Sequence, residues 1–504
     1  MAFEDLNDDV LGLIISHLYA TPPPPTSLTW DPPVLGRRAQ GTAYALVNKR
    51  WQALAERHTL ASIALKTADL PTFATTFASP RRRECLRRLS LTVSLPTHGE
   101  SRDSFARNLA AFRATVSLFF GTLSLWSGRQ QGRLELHLDA AWDIEYQDNE
   151  PVDLYFDVTK SSASRRYLTL LDHDGQQLLL PPVQSITSFI TSNSAGRAFH
   201  PTALCTLAAA MPRLTLFSLS YLDPVPARVG LRRELRCALA SGLLSLSPLA
   251  ALSQLTVIRE PMSSIHNHSF SVGTLQDSDG VDAFSAAVDK ILAGRHGPTD
   301  LHLEDTLLSA QLFLGHGPWP TLRRLRLRSA EILAPSGAWY YTGDPAAVEA
   351  GVDSAPASPS VAGSRDEDSS ESDDGEDDDT LNGVRPTHEW RMQPDPLTFD
   401  PLIAALTDAV VSRMPVLESV SLELGMQDQS ECIGVEVRFV EAGVRMESRP
   451  DWKEDSEDEI MARRCYCWVG RAAEWEAPEK VLAMWHGWVG ERGRVEMGRW
   501  PPMS

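Results

Sequence analysis

Residue types that bind metals or act in catalysis occur in this sequence only in small groups. Cys465 and Cys467 form the one close pair among the six cysteines, whereas a structural zinc ion needs four ligands. His266 and His268 lie two residues apart in a polar segment, and His173 stands between two aspartates. Because none of these groups has a further ligand at metal-binding spacing, we expect reduced thiols and surface turns here, and no metal site.

Short motifs that mark common catalytic sites are also missing. The sequence contains no G-x-S-x-G, no H-E-x-x-H, no G-x-x-x-x-G-K followed by Ser or Thr, and no G-x-G-x-x-G after a predicted strand. We therefore predict a non-catalytic protein with no catalytic residues, no cofactor and no cofactor-binding residues. A hydrolase with an unrecognised pair of acids is a weaker alternative, since 66 acidic residues could supply one.

The charge of the chain is strongly acidic but unevenly distributed. The 504 residues carry 47 Lys+Arg and 66 Asp+Glu, for a formal net charge of −19. Residues 353–380 hold eleven acidic residues and one arginine, a net charge of −10 that leaves −9 for the rest of the chain. Nucleic acids and anionic lipids attract clustered Lys and Arg, so we expect neither a nucleic acid nor a membrane as partner.

Residues 343–396 form an acidic low-complexity insert that is rich in Ser, Asp, Glu, Gly, Pro and Ala. Its clustered charges repel one another and offer no apolar face, so we predict a disordered segment. Ser364 and Ser370 each have an acidic residue three positions on, which makes them possible phosphorylation sites. The insert is either a regulatory loop that binds a basic partner or a solvated insertion without a role of its own.

The start of the chain and its apolar stretches indicate the compartment. The first nine residues carry a net negative charge, so we expect neither a secretory nor a mitochondrial leader. The longest uncharged stretch, residues 237–258, is broken by Pro248 and diluted by Ser and Thr, so we interpret it as a buried helix, a turn and a strand. We therefore expect a cytoplasmic and/or nuclear protein.

Three short helices are predicted within residues 1–60. Residues 6–18 read Leu-Asn-Asp-Asp-Val-Leu-Gly-Leu-Ile-Ile-Ser-His-Leu, with helix-capping residues first and then a broad apolar face. A Pro-rich loop at 20–41 precedes a second helical run at 39–51, and a third helix is predicted at 52–60. Such short helices cannot bury two apolar faces among themselves, so one face must contact another domain or another chain.

These segments resemble an F-box. That family opens with Leu-Pro-x-Asp/Glu, an aliphatic residue and Leu, and after a loop it has a helix that ends in Leu-Val-x, two basic residues and Trp. Here residues 45–51 read Ala-Leu-Val-Asn-Lys-Arg-Trp, in the expected order after residues 6–18. The chain departs from the pattern at Asn7, which replaces the usual proline, and in its longer Pro-rich loop.

The resemblance implies that residues 1–60 form a three-helix F-box domain that docks on a Skp-type adaptor and, through it, on a cullin. Some apolar residues of the two matching segments would contact the adaptor, and others would form the core of the domain. The nine that we expect to serve these roles are Leu6, Val10, Leu11, Ile14, Ile15, Leu18, Leu46, Val47 and Trp51.

Leucine-rich fragments recur through the body at residues 61–342 and again in a last repeat-like unit at 397–425. Their common phrase is a small apolar helix, a proline and then alternating leucines, as at 208–214 and 410–417. Leu65 and Leu91 are 26 residues apart, which lies within the leucine-rich-repeat period. Inward leucines with a covering helix predict an irregular leucine-rich-repeat-like α/β solenoid. A single irregular α/β domain is the alternative.

Residues 426–504 hold six of the thirteen tryptophans and are predicted to form a C-terminal cap. Strands at 435–439 and 444–447, on either side of Gly443, predict a β-hairpin. A helix at 478–488 follows, with Trp485 and Trp488 on its apolar face. We interpret this segment as a cover for the open end of the solenoid, with an aromatic ligand-binding patch as the alternative.

Together with the N-terminal segments, this arrangement resembles fungal F-box proteins with a leucine-rich-repeat-like body. The resemblance implies a substrate-recognition adaptor of a Skp–cullin–F-box E3 ubiquitin ligase, which holds a target protein for degradation while other subunits perform the catalysis. The expected partners are a Skp-type adaptor, a cullin and an unidentified target protein. A repeat scaffold for protein–protein interaction, without a role in a ubiquitin ligase complex, is the alternative.

Overall fold

The structure of the protein is a computed structural model that describes residues 10–11, 13, 49–97, 101–126, 133–142, 167–171, 176–192, 197–226, 228–261, 272–315, 317–343, 391, 393–425, 434–446, 455–470 and 475–499. The predictions for the Pro-rich loop at 20–41, for the centre of the acidic insert and for three histidines lie outside the described residues. The residues concerned are Ser364, Ser370, His173, His266 and His268.

A large sheet of twelve strands runs through the described chain. The sixteen described strands are β1 Ser62–Lys66, β2 Arg88–Leu95, β3 Leu134–Trp142, β4 Tyr167–Leu168, β5 Ile186–Thr191, β6 Ala198–Phe199, β7 Leu216–Asp223, β8 Gln254–Pro261, β9 Asp300–Glu304, β10 Arg324–Ala330, β11 Tyr341–Thr342, β12 Gln393–Pro394, β13 Ser419–Leu424, β14 Val435–Val440, β15 Arg464–Val469 and β16 Arg494–Arg499. The large sheet has the order β1-β2-β3-β5-β7-β8-β9-β10-β13-β14-β15-β16, so its strands follow one another as they do in the chain.

Strand direction in the large sheet is mostly parallel. Only β14 is antiparallel to its two neighbours, β13 and β15. The other four strands form two small sheets, in which β4 pairs with β6 and β11 pairs with β12. A parallel neighbour requires a crossover connection, which in most cases is a helix. The sheet therefore needs helices between its strands.

Helices are found in most of these crossovers. The described α-helices are α1 Lys49–Thr59, α2 Leu70–Thr76, α3 Pro80–Cys85, α4 Arg102–Ser124, α5 Pro201–Ala209, α6 Val229–Leu244, α7 Ala283–Leu292, α8 Phe399–Ser412, α9 Glu457–Ile460 and α10 Glu479–Val489. Short 3-10 turns lie at Thr67–Asp69 and Ala310–Leu312. Helices α4 to α8 and α10 each separate two consecutive strands of the large sheet, so the chain returns over the sheet to start each new strand.

Alternation along the strands decides which face of the sheet is buried. In β2 the residues Leu89, Leu91, Val93 and Leu95 are buried, and the polar residues between them are half-buried. The same alternation occurs in β3, β9 and β13. The buried leucines join helix side chains in one continuous apolar core from Leu65 to Val489. Burying each such side chain contributes about 1.5–3 kcal/mol before the entropic cost of ordering it.

The α/β fold predicted from the leucine pattern is confirmed at the level of a large, mostly parallel sheet with covering helices. The 26-residue spacing has a direct structural meaning, because Leu65 of β1 lies opposite Leu91 of β2 in the sheet. The uncharged stretch at 237–258 forms the second half of α6, a turn and the start of β8, as predicted. No helix in the described part of the chain combines the length and apolar character needed to cross a membrane.

The predicted C-terminal hairpin is wrong in its second strand. Strand β14 forms as expected, but residues 444–446 are not a strand. Both edges of β14 are already paired, one with β13 and the other with β15, so no edge is open to residues 444–446. Instead, the Val444 carbonyl accepts a hydrogen bond from the side chain of Arg464 in β15, and the Met446 amide donates one to Asp455.

The predicted helix boundary between residues 51 and 52 is also wrong. Helix α1 runs without a break from Lys49 to Thr59. Neither Gly nor Pro lies within it to end the helix, and the Gln52 side chain donates a hydrogen bond to Glu56 one turn on. Residues 49–59 are therefore one helix where the sequence predicts the end of one and the start of another.

The Trp-rich end of the chain belongs to the main core. Helix α10 begins directly after Pro478, as predicted, and buries Trp485 and Trp488. Both rings lie edge-on to Phe439 of β14, and the Trp485 indole donates a hydrogen bond of 3.0 Å to the Thr407 hydroxyl of α8. Strands β14 to β16 continue the large sheet, so residues 434–499 pack against the last strand–helix unit of the body rather than forming a core of their own.

Candidate protein-binding surfaces

The N-terminal helical residues form a small cluster separate from the main core. Leu11 is fully buried against Leu54 and Trp51 of α1. Val10 and Leu13 are also helical but point away, with 42% and 63% of their surface exposed. Two neighbouring apolar side chains are therefore exposed together on this helix.

Among the residues predicted to serve the N-terminal domain, the structure thus buries Leu11 in this small cluster, exposes Val10 and places Trp51 half-buried against the cluster. Leu13 was missing from the prediction. Its three-residue spacing from Val10 puts both on one helix face, and this was the available signal. The other predicted residues lie outside the described residues: Leu6, Ile14, Ile15, Leu18, Leu46 and Val47.

Helix α1 is fixed to the body by one buried carboxylate. Glu56 accepts hydrogen bonds from Arg82 at 3.0 Å and from Arg81, both in α3. Burial by itself would raise the pKa of Glu56, but the hydrogen bonds and charges of these two arginines hold it below its usual value. The ionised Glu56 therefore links the helix that buries Leu11 to the start of the large sheet.

The face of the large sheet that points away from the core is polar, and we call it the strand face. Its side chains are aligned in transverse rows because the strands pair in register. The central row consists of Ala64, Ser90, His137, Ile190, Ser218, Thr256, His302, Arg326, Ser421, Arg438, Tyr466 and Glu496. Most of these residues are half-buried or exposed, so the strand face is a broad polar surface carried on a rigid sheet.

A groove lies on the strand face over β10, β13 and β14, with His302 of β9 at one side. Residues 444–446, the segment predicted as a strand, form one wall, and the cavity has a volume of about 300 Å³. Its charged lining consists of five arginines and two glutamates, which gives a net charge of +3 in a chain of net charge −19. We call it the arginine groove; the arginines are Arg324, Arg326, Arg328, Arg438 and Arg445.

Carboxylates orient several of the groove arginines. Arg324 of β10 pairs with Asp300 of the neighbouring strand β9. Arg328 and Arg438 approach Glu423 of β13 at 3.6 Å and 3.9 Å. The pairs of the more exposed Arg324 and Arg328 contribute about 0–1 kcal/mol each to stability, whereas the Arg438 side chain is mostly buried and also pairs with Glu436 of β14. Their main effect is to hold the guanidinium groups in place above the sheet.

One carboxylate near the groove is in an unfavourable environment. Glu436 of β14 is fully buried; its Oε1 atom accepts a hydrogen bond from Arg438, but its Oε2 atom has no hydrogen-bond partner among the described residues. Burial raises its pKa to about 7; Arg438 and Arg328 act in the opposite direction, and Glu423 adds to the rise. The Trp468 ring lies beside it in the same row of the strand face. The protein therefore holds a proton on Glu436 up to near-neutral pH.

Replacing Glu436 with glutamine should remove a pH-dependent loss of stability. An unfolded glutamate titrates near 4.5 and the folded one near 7, so the folded chain binds more protons between these values. The wild-type free energy of unfolding should fall on the order of 3 kcal/mol as the pH rises through this window, and Glu436→Gln should lack this fall. Urea denaturation at pH 5 and pH 8 measures this change in the free energy of unfolding.

The matched control is Glu304→Gln, which removes a half-buried carboxylate from the same face at β9. This variant keeps Glu436 and should keep the wild-type pH dependence. If the Glu436→Gln chain lost stability between pH 5 and pH 8 as steeply as the wild type, the assignment of that loss to Glu436 would be wrong.

A buried ion network lies at the ends of β7 and β8. Asp223 pairs with Arg232 of α6 at 2.8 Å and with Arg259 of β8 at 2.9 Å, and Arg259 also pairs with Glu331. All but Glu331 are at most 4% exposed. The adjoining cavity, about 10 Å³, has room for a water molecule at most and not for a substrate. We therefore assign the network to stability.

The positions of Asp223 and Arg259 in the sequence already indicate that this network is buried. Asp223 and Arg259 each lie two residues after a buried residue of the same strand, Tyr221 and Val257, and so point toward the core with them. A charged residue in such a position requires a partner of opposite charge. The partner could not be named from the sequence, since Arg232 reaches Asp223 from a helix.

The two neighbouring cysteines are buried core residues. Cys465 and Cys467 lie at inward positions of β15 and are fully buried in the main core. Burial raises the pKa of both thiols, and each is a free cysteine. Within the described residues no group of three or more His, Cys, Asp or Glu side chains is placed to hold a metal ion.

No protein-family model matches this chain, and no curated protein gives a significant match to it. The likeness to an F-box thus rests on the residues of segments 6–18 and 45–51 themselves.

Proposed function

We propose that this protein is a substrate-recognition adaptor of a Skp–cullin–F-box ubiquitin ligase. Its N-terminal helices would bind a Skp-type adaptor, and its body, a leucine-rich-repeat-like solenoid, would bind a target protein on the strand face. The observation that carries the proposal is the pair of exposed apolar residues, Val10 and Leu13, on the helix whose Leu11 packs against Trp51.

The N-terminal helix has the division of side chains that the proposal requires. Leu11 and Trp51 both belong to the F-box-like pattern, and both pack in one small cluster with Leu54. Val10 and Leu13 then lie on the outside, where burial against a partner would stabilise a complex by about 25 cal/mol per Å² of apolar surface. Glu56 and its two arginines keep this unit attached to the body.

The body supports a role in binding rather than in chemistry. Its described strands succeed one another without the reversal of order that creates a ligand crevice in doubly wound sheets. The strand face instead presents polar side chains in rows across the sheet, as repeat proteins present extended surfaces to partners. An adaptor of this kind would act by raising the effective concentration of the target near the catalytic subunits.

The experiment measures binding of the purified full chain to a purified Skp-type adaptor. Because Val10 and Leu13 are exposed, replacing both with aspartate should leave the chain folded and reduce adaptor binding at least about tenfold, since two charges would be buried at the contact. Binding is measured by titration calorimetry, and folding by circular dichroism.

The matched control is Leu118→Asp with Leu125→Asp, which places the same charges on exposed leucines within α4 and just beyond its end. These changes should leave adaptor binding intact. If the wild-type chain did not bind the adaptor, or if the Val10 and Leu13 double variant bound it as tightly as the wild type, the proposed docking site would be refuted. A body that still bound a partner would then favour the scaffold alternative.

A further inference from the structure

Resting on the proposed role as a substrate receptor, we infer that the arginine groove binds an extended, acidic segment of the target protein, with carboxylate side chains at alternate positions. The groove is open at the strand face and is the place where described arginines concentrate on that face. The inference names the chemistry of the partner, which the fold alone leaves open.

The spacing of the arginines fits an extended peptide. Arg324, Arg326 and Arg328 alternate with buried leucines on β10, so all three guanidinium groups stand on the strand face. Side chains two residues apart on a strand are about 6.6 Å apart. An extended segment with Asp or Glu at every second position has the same repeat, and a segment lying along β10 could match one carboxylate to each arginine.

The charge of the groove fits carboxylates better than more strongly charged groups. Its lining has five arginines and two glutamates in an acidic chain, and this excess of cationic side chains favours anionic segments over neutral ones. Glu423 and Glu418 remain between the arginines, however, and Asp300 already pairs with Arg324. These carboxylates repel a group of double negative charge more strongly than a group of single charge, which favours carboxylates as the ligands.

The composition of the groove argues against single-stranded nucleic acid, whose phosphates have a similar repeat. Proteins that bind single strands combine positive charge with aromatic side chains on which bases stack. No Phe, Tyr or Trp belongs to the described lining of the groove. On the neighbouring strand β15, Tyr466 and Trp468 stack on each other and are buried. The groove therefore provides ionic contacts without a stacking platform.

The test is fluorescence anisotropy with the full chain and a labelled peptide, Glu-Ser-Glu-Ser-Glu-Ser-Glu. We expect saturable binding that weakens as salt is added, and no binding of the same peptide with Gln in place of Glu. Arg326→Glu with Arg328→Glu should weaken binding at least about tenfold. A second variant, Arg326→Gln with Arg328→Gln, introduces no acidic residue beside Glu304 and Glu423 and should also weaken binding.

The matched control reverses two exposed arginines of α4, Arg102→Glu with Arg107→Glu, and should bind the peptide as the wild type does. Further arms use an oligo-dT strand and the Gln peptide with phosphoserine in place of serine. Absence of wild-type binding to the Glu peptide would overturn the inference, as would unchanged binding by both groove variants or preference for either further probe. Adaptor binding is measured on the same proteins, so a failure of the proposed docking site is seen separately from a failure of the groove.

Discussion

Replacing Asp223 with alanine should lower the free energy of unfolding by about 3–5 kcal/mol, because it leaves two buried guanidinium groups without their shared counter-ion. Arg232 is the more affected of the two. All its described side-chain hydrogen bonds go to Asp223, and its Nη1 atom has no hydrogen-bond partner among the described residues. Arg259 keeps Glu331 and the carbonyl of Asp305.

The pH dependence of this contribution has a defined sign. Burial acts to raise the pKa of Asp223, but the charges and hydrogen bonds of Arg232 and Arg259 bring it below 3.8. A carboxylate whose pKa is lowered by folding stabilises the protein above its unfolded pKa and loses that effect as the pH falls through the folded value. The wild-type advantage over Asp223→Ala should therefore be complete near neutral pH and decline below about pH 4.

Urea denaturation followed by circular dichroism measures the difference. The matched control is Glu135→Ala, which breaks the exposed pair with Arg88 and should cost at most about 1 kcal/mol. A double change, Asp223→Leu with Arg232→Met, removes both charges and should be less destabilising than Asp223→Ala alone. If Asp223→Ala cost no more than Glu135→Ala, the network would contribute little and its arginines would be solvated.

The elements of the body could be predicted because burial repeats locally along the chain. Leu65 and Leu91, or the leucines of β13, alternate with polar residues, and this alternation alone indicates strands with one buried face. Each crossover then leads to the neighbouring strand, so the strands lie in the sheet in the order in which they occur in the chain. The arginines at 324, 326 and 328 could likewise be assigned to the outer face, because they alternate with Leu325 and Leu327.

The parts that escaped prediction depend on which elements meet in space. Residues 444–447 have the alternation of a strand, yet β14 had no free edge to accept them, since β15 had taken it. The arginine groove depends on the position of the same segment, because residues 444–446 form its wall. The Asp223 network joins the ends of two strands to a helix, and the exposure of Val10 and Leu13 depends on how their helix rests on α1.

Replacing Trp485 with alanine should also cost about 3–5 kcal/mol, and this result would test whether the C-terminal end is part of the fold that carries the groove. The Trp485 ring is fully buried between Phe439 of β14 and helix α8. Truncation would leave a cavity and would deprive the buried Thr407 hydroxyl of the indole donor. Urea denaturation followed by circular dichroism measures the loss.

Trp485→Phe keeps a buried aromatic ring but loses the five-membered ring and the 3.0 Å bond to Thr407, so it should cost less than Trp485→Ala. Because α10 and α8 belong to one core with the body, Trp485→Ala should shift the main unfolding transition. A separate early transition, with the main one unchanged, would instead mean that residues 434–499 unfold alone. In that case the groove, whose wall is residues 444–446, would be lost before the body, and peptide binding would disappear at the early transition.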